Sequence, residues 1–309
     1  MLKKILLSFL TALMGAIFIF SAYVKLYPIE PFEFTFVDLG LGNWQIAPFI
    51  ARFLIGLEFL IGFALLLNIL LRKITYKLSI AVLVFFCFYL LLQIIFQGSN
   101  GNCGCFGTVI PMTPLQALIK NIVMLGILIV LYKYHEGWDL RDFSIYLFIT
   151  CLLTAAALPF VLNPVELDYS AAYLNKPETN YKLELDSLYN NAKLNVPPRT
   201  LSEDKHIIAF MSLTCSHCKI AAKKIRIMHD RNPDLPFYFV LNGKEENLRS
   251  FFEETGTESI PHCMLKGRPF IYLAGTSLPS IYLINNSLME HEVNYMTLDQ
   301  DEVEQWLYR

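Results

Sequence analysis

Charge is scarce in this chain. Asp, Glu, Lys and Arg make up 17% of its 309 residues while 55% are hydrophobic, too apolar a balance for two ordinary soluble domains. Part of the chain therefore belongs in a membrane. The charges that exist nearly cancel, to −2 at pH 7, and no basic stripe interleaved with aromatics leaves a footprint for nucleic acid. Cysteine is sparse as well. Seven cysteines do not make a disulfide-dense secreted scaffold, so their positions carry more than their number. A Gly/Ser-rich linker is also missing: the polar stretch 163–205 holds Pro164, Pro177, Pro197 and Pro198 instead.

Two of the cysteines carry the strongest signal. Cys215-Ser216-His217-Cys218 follows the strand-like apolar run Ile207–Met211 and opens a segment of helical composition. Such a pair at a helix start closes a disulfide within one turn, and its first sulfur lies beside unpaired N–H groups whose field favours the thiolate nucleophile. That is a redox layout. The same spacing also serves a structural disulfide or half of a zinc site. Zinc would need two further ligands, which His206, His262 and Cys263 could supply only by chance of the fold.

Five apolar segments fill the first half, at about 5–25, 48–71, 76–97, 115–134 and 143–163. Each is near the ~20 residues that cross about 30 Å of hydrocarbon, so the expected architecture begins with a bundle of four to five spanning helices. Four would remain if the first were a signal peptide. Lys3 and Lys4 precede the run Ile5–Phe20, and Ser21-Ala22-Tyr23 is a tolerable cleavage region, but the run is longer than a usual signal core.

Basic residues orient the bundle. Lys3 and Lys4, then Arg72, Lys73 and Lys77, then Lys133 and Arg141 flank alternate segment ends, which should face the cytoplasm. The opposite loops hold Glu30, Glu33 and Asp38 with Lys25 at the boundary, or no charge between Gly98 and Pro114. Everything after Pro164 is then expected outside the cytoplasm. The uncharged loop contains Cys103-Gly104-Cys105-Phe106-Gly107, on the same side as Cys215. A Cys-x-Cys disulfide closes a small, readily reduced ring. The loop reads as a redox relay, a static disulfide or a soft-metal site.

Within the spans Arg52 and Glu58 stand out, because ionisable groups in hydrocarbon usually face a partner or cavity. Six residues rotate a helix by about 240°, so the two do not share a face. Lys25 and Lys120 are the better partners for Glu58, in a structural pair or in a catalytic or quinone-contacting role. Cys87 and Cys151 read as packing residues.

Three regions follow: 1–163 as the membrane domain, 164–200 as a linker and edge segment, and 201–309 as an α/β domain outside the membrane. In the second region Tyr181–Leu185 should pack on the outer domain as an edge element. A flexible connection of about 40 residues would span roughly 35 Å, enough to bring the outer domain to the Cys103 loop. After the cysteine pair, Phe237–Leu241 predicts a buried strand and Lys244–Thr255 a helix. Ser280–Ile284 and Ser287–Tyr295 flank Asn285-Asn286 as a hairpin, and Asp299–Tyr308 closes the chain as a helix.

This order, with the cysteine pair at the first helix and Leu278-Pro279 before the hairpin, resembles the thioredoxin fold. The resemblance implies a cis-proline at Pro279, set against the cysteines and helping to hold the substrate chain. Pro261 is the rival, with no clear strand after it. The stretch 256–275, with Cys263, departs from the family pattern. The membrane half resembles the DoxX-like proteins of the MauE type. It does so through Gly15-Ala16-Ile17-Phe18, Ser21–Leu26, Arg52, Gly56, Glu58 and Gly62, and above all through Cys103-Gly104-Cys105-Phe106-Gly107. MauE proteins are associated with methylamine dehydrogenase maturation, and DoxX relatives with quinone reduction.

Together the two resemblances imply a membrane-anchored thiol–disulfide oxidoreductase acting on cysteine-containing proteins outside the cytoplasm, more general than methylamine utilisation itself. Cys215 would attack, helped by His217, and Cys218 would resolve the mixed disulfide. Cys103 and Cys105 would exchange electrons with that pair and, by resemblance alone, with a quinone. No other cofactor and no resident metal is implied. The alternatives are a reductant conduit that keeps outer cysteines reduced and a redox-regulated metal-handling or maturation protein. Oligomeric state is not legible.

Overall fold

The computed structural model describes residues 2–97, 112–137, 142–166, 169–173, 181–275 and 277–309. They divide into two units, Met1–Val165 and Glu166–Arg309. In the first, runs of apolar side chains leave only the helix to satisfy backbone N–H and C=O groups inside lipid. The long helices are α1 (Leu2–Leu26), α3 (Ala47–Leu66), α4 (Tyr76–Gln97), α5 (Pro114–Tyr134) and α6 (Asp142–Leu162). All five are long and apolar enough to cross a bilayer. The chain is a multi-pass membrane protein.

Helix α1 is a full member of this bundle. Its Gly15 faces Gly62 of α3 so closely that a Cβ on Gly15 would stand 2.7 Å from the Gly62 carbonyl oxygen. Without side chains at these two positions the backbones approach, which is how helices gain contact in lipid. No sequence pattern announced α2 (Glu30–Asp38), a short helix between α1 and α3 that buries Phe32, Phe34, Phe36 and Val37.

The second unit is built on five strands: β1 (Lys205–Ser212), β2 (Phe237–Asn242), β3 (His262–Met264), β4 (Ser280–Asn285) and β5 (Leu288–Val293), in the order β3-β2-β1-β4-β5. Strands β1, β2 and β3 run parallel, and β4 and β5 are antiparallel additions. Both faces of the central β1 are covered, so its middle residues Ile207 to Met211 are all fully buried and apolar. Helices α8 (Ser216–Arg231), α9 (Glu246–Thr255) and α11 (Gln300–Tyr308) fall in the expected chain order. The outer unit is thioredoxin-like.

Three details depart from expectation. A strand does follow Pro261: His262–Met264 pairs with Phe239–Leu241. The stretch 256–275 also contains helix α10 (Arg268–Ala274), whose Phe270 and Leu273 enter the core. Three residues of strand are too few to show a period. The hairpin turns at Asn286 and Ser287, both at positive φ (52° and 65°), one residue later than expected.

The segment before β1 joins this core. Leu183, Leu185 and Leu201, with Leu188 from the short helix α7 (Asp186–Asn191), pack with Ile208, Phe210 and Tyr282. Along the edge of β5, Leu183 N–H donates to Ser287 O (2.8 Å) and Met289 N–H to Tyr181 O (3.0 Å). This is the edge pairing expected for Tyr181–Leu185.

Candidate redox site

Strand β1 delivers the chain to the start of α8, and Cys215 stands there as the N-cap residue in extended conformation. Its Sγ accepts a hydrogen bond from Cys218 N–H at 3.4 Å. Cys218 lies one turn on and is fully buried, its Sγ accepting from Ser212 N–H at 3.4 Å. Both are free thiols. Burial pushes the Cys218 thiol far up from its ordinary range, with the Ser212 N–H opposing the shift. Cys215 is partly buried and keeps some contact with solvent. The two sulfurs therefore differ in access: one can meet a partner, and the other waits behind it.

Residue Pro279 reaches the same end of the sheet. Phe210 pairs with Ser280 across β1 and β4, which sets Pro279 level with Met211, four residues before Cys215. Its peptide bond with Leu278 is cis, as the resemblance implied. His217, on the exposed first turn of α8, stacks on Tyr295 with ring centroids 5.1 Å apart and planes at 12°.

Among the described residues no three His, Cys, Asp or Glu side chains are placed to hold a metal ion. His206 and His262 lean on the carbonyls of Thr200 and Ile260. Cys263 is buried in β3, its thiol pushed up to about 11 by burial against a weaker opposing hydrogen bond from Tyr238. The Cys103-Gly104-Cys105 loop lies outside the described residues.

In the membrane unit Glu58 meets Lys25, as its position suggested, with Nζ 2.5 Å from Oε1 and both side chains buried. Ser21 donates to the same oxygen at 3.4 Å. Arg52 goes elsewhere. It donates to Glu33 Oε1 (2.5 Å) and to the carbonyls of Pro48, Asn163 and Pro164, tying α3 to α2 and to the end of α6. Beside Lys25 and Glu58 lies a cavity of about 20 Å³, lined also by Phe18, Phe86, Tyr89 and Asn121. It has room for about one water.

One polar cluster was invisible in the sequence. Thr11 Oγ1, Tyr76 Oη and His135 Nδ1 lie within hydrogen-bond reach of one another at 2.9–3.0 Å, and Ser8 Oγ is 3.1 Å from His135 Nε2. These residues come from three distant segments, and no spacing rule links them. A buried hydroxyl in each of two apolar runs was the only available hint.

Known proteins supply the remaining context. Protein TlpB of Flavobacterium psychrophilum is 30% identical over 319 residues, which cover 88% of this chain and 84% of that protein. The chain belongs to the TlpB family. Within this TlpB-family chain, the family model for methylamine utilisation protein MauE matches residues 3–134, through the end of α5. Similar solved structures include a secreted disulfide oxidoreductase of Mycobacterium tuberculosis and the thioredoxin domain of a thiol-disulfide oxidoreductase from Bacteroides vulgatus. Each is 16% identical with a TM-score of 0.28, covering 34% of this chain and 81% of its own.

Proposed function

We propose that this TlpB-family protein is a membrane-anchored thiol–disulfide oxidoreductase that exchanges disulfides with cysteine-containing proteins outside the cytoplasm, taking the oxidising direction as the one tested below. The observation that carries this reading is the pairing of a solvent-reachable Cys215 with a fully buried Cys218 one helical turn away. A client thiolate attacks the Cys215 sulfur of the oxidised pair, forming a mixed disulfide and releasing Cys218. The client's second thiolate then displaces Cys215. The client has lost two electrons and two protons, and the Cys215/Cys218 pair has gained them. In reverse, Cys215 attacks and Cys218 resolves. Pro279, level with the end of β1, supports the client chain, and His217 favours the Cys215 thiolate.

Cys103 and Cys105 are proposed as the exchange partner that restores the disulfide. The outward orientation is supported by Lys and Arg at alternate helix ends. A quinone, implied by the DoxX likeness, would accept two electrons and two protons from a dithiol. A quinone is proposed as the acceptor of the electrons that reach the loop cysteines.

Trapping tests the assignment. In the full-length protein, Cys218→Ala should accumulate a mixed disulfide through Cys215 with glutathione or a dicysteine peptide, and Cys215→Ser should form none. Absence of any adduct in Cys218→Ala would remove Cys215 from the reaction. A reduction potential nearer about −120 mV than about −270 mV supports oxidation of clients, and the reverse result identifies a reductant.

A further inference from the structure

The side chain of His217 is exposed on the first turn of α8. It nevertheless lies flat against Tyr295, at 5.1 Å and 12°, an offset stack of the kind aromatic rings prefer. Tyr295 sits in the turn after β5, and that turn is held from several sides. Asn294 Oδ1 accepts from Met296 N–H (2.9 Å), Thr297 N–H (3.1 Å) and the Thr297 hydroxyl (3.4 Å), while Thr297 Oγ1 accepts from Asn294 N–H (3.1 Å). The Tyr295 carbonyl accepts from Lys224 Nζ at 3.5 Å. Lys224 is two turns beyond His217 on α8, so one turn of chain grips that helix at two places. The Tyr173 hydroxyl donates to Thr297 O (3.2 Å) and secures the far side.

We propose that Tyr295 is a positioning residue for the redox pair: its ring holds the His217 imidazole beside Cys215 and so raises the reactivity and the reduction potential of Cys215/Cys218. The inference rests on the thiol–disulfide reading above. A histidine between two cysteines influences the thiolate only as far as its charge stays close, and a freely rotating side chain on an exposed turn spends much of its time elsewhere. Stacking on a π face restricts that motion. A cation near Cys215 stabilises the reduced, thiolate-bearing state. Stabilising the reduced state makes a disulfide a stronger oxidant.

The test is made on the full-length protein, with mass spectrometry of the peptide that carries both cysteines. Tyr295→Leu should slow iodoacetamide alkylation of Cys215 about 2- to 5-fold, the lower part of the range for an aromatic pair. The same factor in the equilibrium with glutathione corresponds to a potential about 10–20 mV lower, at 29.6 mV per tenfold for two electrons. Tyr295→Phe keeps the ring and should restore both values. In a His217→Ala background Tyr295→Leu should have no further effect. An unchanged potential in Tyr295→Leu, or an equal drop with His217 already removed, overturns the proposal. A parent protein in which Cys215 exchanges with nothing would instead refute the thiol–disulfide reading.

Discussion

Replacing Tyr173 by Phe removes one oxygen and should loosen one end of the outer unit. The Tyr173 hydroxyl accepts from Asp299 N–H at 2.8 Å and donates to Thr297 O at 3.2 Å, while the ring is buried against His291. Phe keeps the ring but orphans the Asp299 N–H. An unsatisfied buried donor costs about 1–3 kcal/mol, so about 2 kcal/mol is expected for this partly buried site. The effect should concentrate in α11, because Asp299 is its N-cap and its carboxylate accepts from Glu302 N–H at 3.0 Å. At about 2–4 °C per kcal/mol for a domain of this size, the transition of the outer unit should fall by roughly 4–8 °C. Calorimetry of the full-length protein reads the shift, and amide exchange in Gln300–Tyr308 reads its location. A fall under about 1 °C, with α11 protected as before, would show that this hydroxyl does not hold the turn.

Two other consequences can be measured directly. Glu58→Leu alone strands a buried lysine and should cost about 3–5 kcal/mol, whereas Lys25→Met with Glu58→Leu should recover most of that loss; melting in detergent decides, and a double variant as unstable as the sum of the singles refutes the pair. For Cys263, the folded thiol is raised from 9.0 to about 11 by burial. Below pH 9 its contribution to stability is complete. Between pH 9 and 11 the unfolded chain ionises while the folded thiol does not, so up to about 2–3 kcal/mol is lost as pH rises. Cys263→Ala should give a shallower alkaline slope in denaturant titrations, and an unchanged slope would contradict the shift.

What the sequence revealed and concealed follows from the range of the forces involved. Hydrocarbon-length runs and a Cys-x-x-Cys after an apolar strand are local signals, and both appeared where expected. Lys25 as the partner of Glu58 was legible because a charge in lipid must find a counter-charge, which leaves few choices. Helix α2 was not legible, since Phe32, Phe34 and Phe36 alternate as a strand would. It is burial against the bundle, not their period, that makes them helical. Strand β3 is three residues long and is defined by the neighbour it pairs with. The stack of Tyr295 on His217 joins residues 78 positions apart, and no composition rule reaches that far.

The Lys25–Glu58 contact also says something about how the protein is made. Lys25 leaves the ribosome 33 residues before Glu58, an interval of about 2–7 s at about 5–20 residues per second. During that time α1 has a cation at its end and its partner in the folded bundle, Glu58, has not yet been made. The ammonium must stay at the water interface on its long stem, as lysines near helix ends do, until α3 arrives and Gly62 can close on Gly15. Pairing α1 with α3 is thus a timed event in membrane insertion.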